Sequence, residues 1–496
     1  MRRLSIVLII LLAALLISQA VFSLQWPIAH DEAPLFYEAF LMHSEGRLPY
    51  RDIFDFQMPG SYAAYYVFGS LTSFSAFRIR VLDLLILGTL LAITYGFMRA
   101  FGKASAFTAG ILFGLKYLQG GPSISLQREY LLLIFIALAL LVGMRDSLTL
   151  KRRLSLGILF GLAAVIKPHA ALGLLPFLLF DIAGTSKRLH ISLLKAAAKS
   201  ISPAAIGFML PVSLIIAWLA WTGALTPFLN IAANYWPLYS QINGQLEITP
   251  QAERMSFLLN QAWRLGGSGL WLIPALIGIH RNQNRQTYLL ASLALCYAIY
   301  PALSGQFFPY HYIPFVYLVI LLASLSISTS NHPSFTIKLL ASFSLLAVIL
   351  IDIRPSQTFI RQLEGKSMAT STDRADEIAH FLETNLEEGD TVQPLDWTGG
   401  TLLAMLETRA RIATPYVFDF YFYHHVSNPY IQNLRADFMD ELQKSSPRFI
   451  VEVTALDKPW ISGEDTSREF PELRAFLDAN YAVTIQKDDY MIYERR

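Results

Sequence analysis

Charge is scarce in this sequence of 496 residues: Asp, Glu, Lys and Arg make up 15%, against 54% hydrophobic residues and a mean hydropathy of +0.42. That leaves too little polar surface for a soluble globule of this length, so most of the chain must face lipid or pack within it. Cysteine is almost absent. Cys296, alone in an apolar stretch, excludes an intrachain disulfide framework and a cysteine-ligated zinc site, and it reads as a small buried hydrophobe. The formal net charge of +2 comes without any basic run, which excludes a nucleic-acid partner. No glycine-rich nucleotide loop is present, Gly399-Gly400 being too little for one. Internal repeats and low-complexity tracts are also missing.

Long apolar runs are abundant. Arg2 and Arg3 precede one from Leu4 to Leu24, long enough to cross about 30 Å of hydrocarbon and lacking a small-x-small cleavage site, so it reads as a first span rather than a signal peptide. Further runs fall at 81–98, 104–118, 130–144, 154–166, 170–182, 201–221, 269–279, 288–303, 313–327 and 337–351, predicting about eleven transmembrane helices. Lys and Arg concentrate at Arg99 and Lys103, at Arg145 with Lys151 to Arg153, at Lys187 to Lys199, and at Arg281 with Arg285. By the positive-inside rule those loops and the N-terminus are cytoplasmic. A first outer loop, 25–80, a second, 222–267, and everything after Asp352 then lie outside.

The expected fold is an α-helical polytopic membrane protein with a small C-terminal α/β soluble domain. A transmembrane domain over 1–354 is followed by an extracytoplasmic domain over 355–496. In the latter, helices are expected at 373–386, 433–444 and 469–480, with strands at 448–453 and 482–493, the alternation of a small layered sheet.

The first outer loop holds most of the candidate chemistry: His30-Asp31-Glu32, then Tyr50-Arg51-Asp52-Ile53-Phe54-Asp55, then Pro59-Gly60. An adjacent acidic pair just beyond a span can serve as general base or metal ligand where a membrane-borne substrate meets water; a helix-capping pair is the plain alternative. Lys116, Arg128, Lys167, Arg78 and Arg80 fall near the outer ends of spans, with His169 and His311 at similar depth. Cations converging there from separate helices suit a phosphate group. Each alone could instead snorkel to water or headgroups, and Arg80 could pair locally with Asp83. In the second loop, Tyr235 and Trp236 offer faces for a sugar ring or an interfacial anchor. Asp396-Trp397 and the run from Phe418 to His425 could touch an acceptor or form a half-buried strand. On a strand His424 and His425 point to opposite faces, a poor metal pair.

Asp31-Glu32 together with the stretch from Tyr50-Arg51-Asp52 through Asp55 to Pro59 resembles the first-loop motifs of the GT-C superfamily. That superfamily comprises polyprenyl-phosphate-dependent glycosyltransferases and includes protein O-mannosyltransferases and lipid A aminoarabinose transferases. Arg128-Glu129, Lys167-Pro168, Tyr310-His311-Tyr312 and the outward tail extend the resemblance over nearly the whole chain. Gln57-Met58-Pro59-Gly60 departs from the basic residue and double proline frequent in the family, which sets the chain off from the aminoarabinose subgroup. The resemblance implies an inverting transferase that moves a hexose or pentose from a polyprenyl-phosphate sugar to a glycan, lipid or protein acceptor. It implies a multi-pass setting in the bacterial inner membrane. Asp31 would be the base, with Glu32 or Asp55 orienting the acceptor or binding a divalent metal, which the resemblance leaves open. Lys116, Arg128 and Lys167, with Arg80 and His311, would hold the donor phosphate, and Tyr235 and Trp236 the acceptor. A transporter or flippase for a lipid-linked or anionic solute is the rival reading, but it predicts inverted repeats that the sequence lacks. A non-catalytic partner subunit is a third.

Overall fold

The computed structural model describes residues 2–145, 148–328, 335–366, 370–456 and 458–496. Along the chain, α1 (Arg2–Ser23) is followed by two helices within the first loop, α2 (Glu32–Glu45) and α3 (Pro59–Thr72). Then come α4 (Ala76–Met98), α5 (Lys103–Gln119), α6 (Arg128–Gly143), α7 (Leu150–Ile166), α8 (Leu174–Leu189) and α9 (Leu193–Trp221). The second loop forms α10 (Leu225–Asn234), α11 (Trp236–Tyr239) and α12 (Arg254–Arg264). Next are α13 (Leu272–Arg281), α14 (Arg285–Ser304), α15 (Ile313–Ser324), α16 (Phe335–Asp352) and α17 (Gln357–Leu363). The tail adds α18 (Thr370–Asn385), α19 (Thr401–Thr408), α20 (Pro429–Ser445) and α21 (Pro471–Asn480).

All eleven apolar runs fall on helices. Among the described residues, five helical stretches are by themselves long and apolar enough to cross a bilayer: Ala76–Phe101, Pro168–Leu189, Leu193–Trp221, Arg285–Ser304 and Pro309–Ile327. Two bent pairs, Arg254–Gly267 with Gly269–Arg281 and Thr336–Asp352 with Gln357–Leu363, bring the number to seven if each counts as one span. Hydropathy gives more because α5, α6 and α7, of 17, 16 and 17 residues, are only about 24–26 Å long at 1.5 Å per residue.

Packing divides the chain into two compact units. One comprises Met1–Leu24, Arg80–Ala217 and Ser256–Ile360; the other comprises Gln25–Ile79, Trp218–Met255 and Arg361–Arg496. The first is helical. At its centre α15 is buried at every residue from Pro314 to Ser324, consistent with a helix apolar all round, and it packs against α5, α6, α13 and α14. Helices α7 and α9 meet backbone to backbone: a Cβ on Gly157 would lie 2.0 Å from the Ala204 carbonyl oxygen, and one on Gly207 would lie 2.3 Å from that of Leu154. Small residues permit this approach, with Gly157 and Gly161 in the G-x-x-x-G spacing of membrane helix pairs.

The second unit joins the two loop segments to the tail. Its five-stranded sheet has strands β2 (Thr391–Leu395), β3 (Arg411–Ile412), β4 (Phe449–Val453), β6 (Tyr481–Gln486) and β7 (Tyr490–Arg495) in the order β3-β2-β4-β7-β6. The first three run parallel, while β7 is antiparallel to both β4 and β6. The single terminal strand expected over 482–493 is thus a hairpin. A short parallel pair, β1 (Glu247–Ile248) with β5 (Ser462–Gly463), ties the second loop to the tail. Helix α2 packs on α19, and the Tyr37 hydroxyl donates to the Ala410 carbonyl at 2.7 Å.

Candidate active site

In the second unit the acidic loop is arranged by its own backbone. His30 takes the left-handed conformation (φ 53°), turning the chain so that Asp31 becomes the N-cap of α2 and Glu32 its first residue. A carboxylate is favourable there because the N-terminal peptide dipoles point at it. Asp31 nevertheless makes no capping bond to α2; its Oδ1 lies 3.1 Å from His30 Nδ1. Glu32 instead reaches back to the Ala29 N–H at 3.4 Å and is 1% exposed. Asp55, also 1% exposed, accepts hydrogen bonds from the hydroxyls of Tyr62 and, at 3.1 Å, Tyr421. Asp31 is the most open of the three, with 10% of its side chain exposed beside a His30 side chain at 38%. Between these acids Asp52 bonds to the Leu48 N–H at 2.9 Å and to the Arg51 guanidinium. Burial opposes its charge, but the Arg51 and Leu48 hydrogen bonds outweigh that and hold its carboxyl below the usual range.

The tail contributes the wall opposite His30. The Asp396 carboxylate collects the backbone N–H groups of Trp397 (2.6 Å), Gly399 (2.9 Å) and Thr401 (3.0 Å), fixing the turn into α19. That turn sets the Trp397 ring 6.5 Å from the His30 ring, across a recess of about 20 Å³ lined also by Ala29, Ala33 and Thr398. The sequence singled out Trp397 but gave no sign of its neighbour. Tyr235 is fully buried among Phe54, Phe56 and Tyr421, and its hydroxyl goes to His424 Nε2 at 3.0 Å. Trp236, half-buried, donates from Nε1 to the Phe56 carbonyl at 2.9 Å. Of this pair only Trp236 keeps an accessible face. The segment before His424, for which a half-buried strand is one of two readings, forms a 3-10 turn, Phe420–Phe422, and its aromatic side chains are buried against one another. Burial lowers the pKa of His424 to about 3.

In the first unit the predicted cations separate into three groups. Arg80, 1% exposed, shares the Ser125 hydroxyl with Asp83, one turn further along α4, and Tyr117 donates to the same carboxylate at 2.6 Å. Lys116 pairs with Asp352 at 2.8 Å. Lys167 and His311 converge on Glu129, the fully buried second residue of α6: Lys167 Nζ lies 3.2 Å and His311 Nε2 3.6 Å from its Oε1, to which the Tyr300 hydroxyl also donates at 3.0 Å. Arg128 is 3% exposed on the same turn of helix. Pro168 supplies the geometry at Lys167, ending α7 and leaving Lys167 extended (φ −146°, ψ 113°). The sequence showed Glu129 only as part of a motif; an acid at the start of a span, matched by cations at the ends of two others, is the signal that it is a hub. Among the described residues no three His, Cys, Asp or Glu side chains could together hold a metal ion.

No family model matches the sequence, and no curated protein matches it. The fold nevertheless has solved counterparts, in which a helical architecture with a small mixed sheet in the C-terminal part recurs. The chain is similar to the crystal structure of ArnT from Cupriavidus metallidurans bound to undecaprenyl phosphate. The two share 12% identity, with 98% of this chain and 97% of that one covered and a TM-score of 0.58. It is similar also to the same protein in the apo state, at 13% identity, 98% and 97% coverage and a TM-score of 0.57. At such identities the likeness is one of fold. The resemblance read from the first loop therefore holds at the level of architecture.

Proposed function

We propose that this protein is an integral membrane glycosyltransferase that moves a sugar, with inversion, from a polyprenyl-phosphate donor to an acceptor hydroxyl on the outer face. The observation that carries the reading is the likeness over 98% of the chain to a structure holding undecaprenyl phosphate. In this reading Asp31, more open than Glu32 and Asp55 and paired with His30, takes the acceptor proton. Glu32 and Asp55, bonded to backbone and tyrosine hydroxyls, keep the loop in shape. Arg128, Lys167 and His311 hold the donor phosphate; two fixed cations against the single charge of Glu129 leave positive potential for the negative charge that grows on the leaving group. Arg80 and Lys116 have carboxylates of their own and stand outside this set. Trp397 and Trp236 offer the aromatic faces for an acceptor.

The test is Asp31→Asn in purified protein reconstituted into lipid, assayed with polyprenyl-phosphate sugars. Transfer is expected to fall by about 100-fold or more while donor binding persists, because losing general-base assistance removes a factor of that order. Near-normal transfer by a well-folded Asp31→Asn protein would overturn the assignment of the base.

A further inference from the structure

The first unit contains a second polar feature that the transferase reading does not use. A cavity of about 370 Å³ opens beside Lys116 and Asp352, the size range of small-molecule sites. Its walls are mainly apolar, with Phe113, Ile124, Ile313 and Val316, and among the described residues Lys116 and Asp352 are the one cation and the one anion that line it. The pair is tight, Nζ to Oδ2 2.8 Å, and Trp271 Nε1 adds a bond to the same carboxylate at 2.6 Å. Both side chains still keep surface open, 22% for Lys116 and 24% for Asp352. A desolvated ion pair is costly unless something satisfies its outward side.

The wall across from this pair is irregular backbone. Between α12 and α13 the chain bends by 64° through Gly266 and Gly267, both left-handed (φ 59° and 79°), and Gly266 lies so close to the Tyr312 ring that a Cβ would sit 2.5 Å from it. Non-helical backbone at membrane depth is tolerated where it lines a polar cavity. Leu259 and Trp263 before the bend and Leu270 and Ile273 after it are exposed, an apolar outer face suited to hydrocarbon. The turn Pro309–Tyr312 separates the cavity from the Glu129 cluster: Pro309 and Tyr312 line the cavity, and His311 between them faces Glu129.

The geometry points to a site for the head of a zwitterionic phospholipid of the phosphoethanolamine kind, its ammonium on Asp352 and its phosphate on Lys116. Two opposite fixed charges side by side match a head that carries both signs, whereas a purely anionic head meets Asp352 with no second cation to offset it. The apolar walls and the apolar outer face of the bend receive the glycerol and the first methylenes. This site is separate from the donor site and does not depend on the transferase reading.

The full-length protein, delipidated in detergent, would be incubated with phosphatidylethanolamine or phosphatidylglycerol of matched chains, and the bound lipid counted by native mass spectrometry. The expected result is a preference for phosphatidylethanolamine of about tenfold, the factor that one charge-assisted contact supplies. Asp352→Asn leaves Lys116 as a lone cation and is expected to turn the preference toward phosphatidylglycerol. Lys116→Gln leaves a lone anion and should weaken both lipids, phosphatidylglycerol more. A variant that merely misfolds loses both lipids without reversing their order, so the two variants together keep the test sharp. Water-soluble glycerophosphoethanolamine should compete poorly. The proposal is overturned if the wild type shows no preference, if Asp352→Asn leaves the ratio unchanged, or if the chain-free head competes as well as the lipid. It is also overturned if a polyprenyl phosphate displaces phosphatidylethanolamine stoichiometrically, for the cavity would then belong to the donor.

Discussion

The two units satisfy their buried carboxylates in different ways. Among the described residues of the helical unit, each buried or half-buried acid meets a cation from elsewhere in the sequence or on its own helix: Glu129 with Lys167, Asp352 with Lys116, Asp181 with Arg152, and Asp83 with Arg80 through Ser125. In the mixed unit Asp55 is held by tyrosine hydroxyls and Asp396 by three backbone N–H groups, all neutral donors. Charge pairs occur here too: Asp419 against Lys458 at 2.6 Å, and the half-buried Asp52 against Arg51, Glu45 against Arg47 and Glu452 against Arg474. The physical difference is what lies outside. Lipid gives a charged group no reaction field, so the counter-charge must come from the protein, whereas an aqueous surround lets oriented neutral dipoles suffice.

Asp181→Asn should break this contrast most visibly. Both Asp181 oxygens accept from Arg152 Nη1 at 2.6 Å, and Arg153 approaches to 3.5 Å. Removing the charge strands buried guanidinium groups, at a cost of about 3–5 kcal/mol, read as a lower unfolding temperature of the purified protein. The matching change in the other unit is Tyr421→Phe, which removes one neutral donor from Asp55 and should cost about 1.5–3 kcal/mol. Equal losses would erase the distinction between the units.

The smallest effect sharpens the comparison through pH. His424 is buried against Tyr235 with its Nδ1 lacking a hydrogen-bond partner, and burial depresses its pKa to about 3. A depressed histidine pKa means the unfolded chain binds the extra proton first, so stability contributed by the neutral ring falls as pH drops below about 6.5. Lowering pH from about 7.5 to 5.5 should cost about 1 kcal/mol. In His424→Gln that slope should flatten; an unchanged slope in thermal unfolding against pH would assign the sensitivity elsewhere.

Hydropathy and periodicity made much of this architecture readable. Each apolar run is a helix, and in the tail 373–386, 433–444 and 469–480 fall on α18, α20 and α21, because these patterns are local and each helix buries its own stripe. What the sequence concealed is long-range. Nothing near Lys116 announces Asp352, 236 positions away, and Tyr235 reads as an interfacial aromatic until the fold puts Phe54, Tyr421 and His424 around it. The order of the sheet was hidden for the same reason, since β3 is only two residues long and carries no periodicity of its own.

The way the second unit is assembled has a consequence for the timing of biosynthesis. The Tyr37 hydroxyl closes on the Ala410 carbonyl across 373 positions, and the recess lined by His30 needs residues as late as Leu403. At about 5–20 residues per second, the ribosome delivers that wall roughly 20–75 s after Asp31 has emerged. For that interval the acidic loop exists without its partner, so a chain cut short before the tail contains His30 but not the recess that it lines. Completion of the last quarter of the polypeptide thereby becomes the event that licenses the first loop.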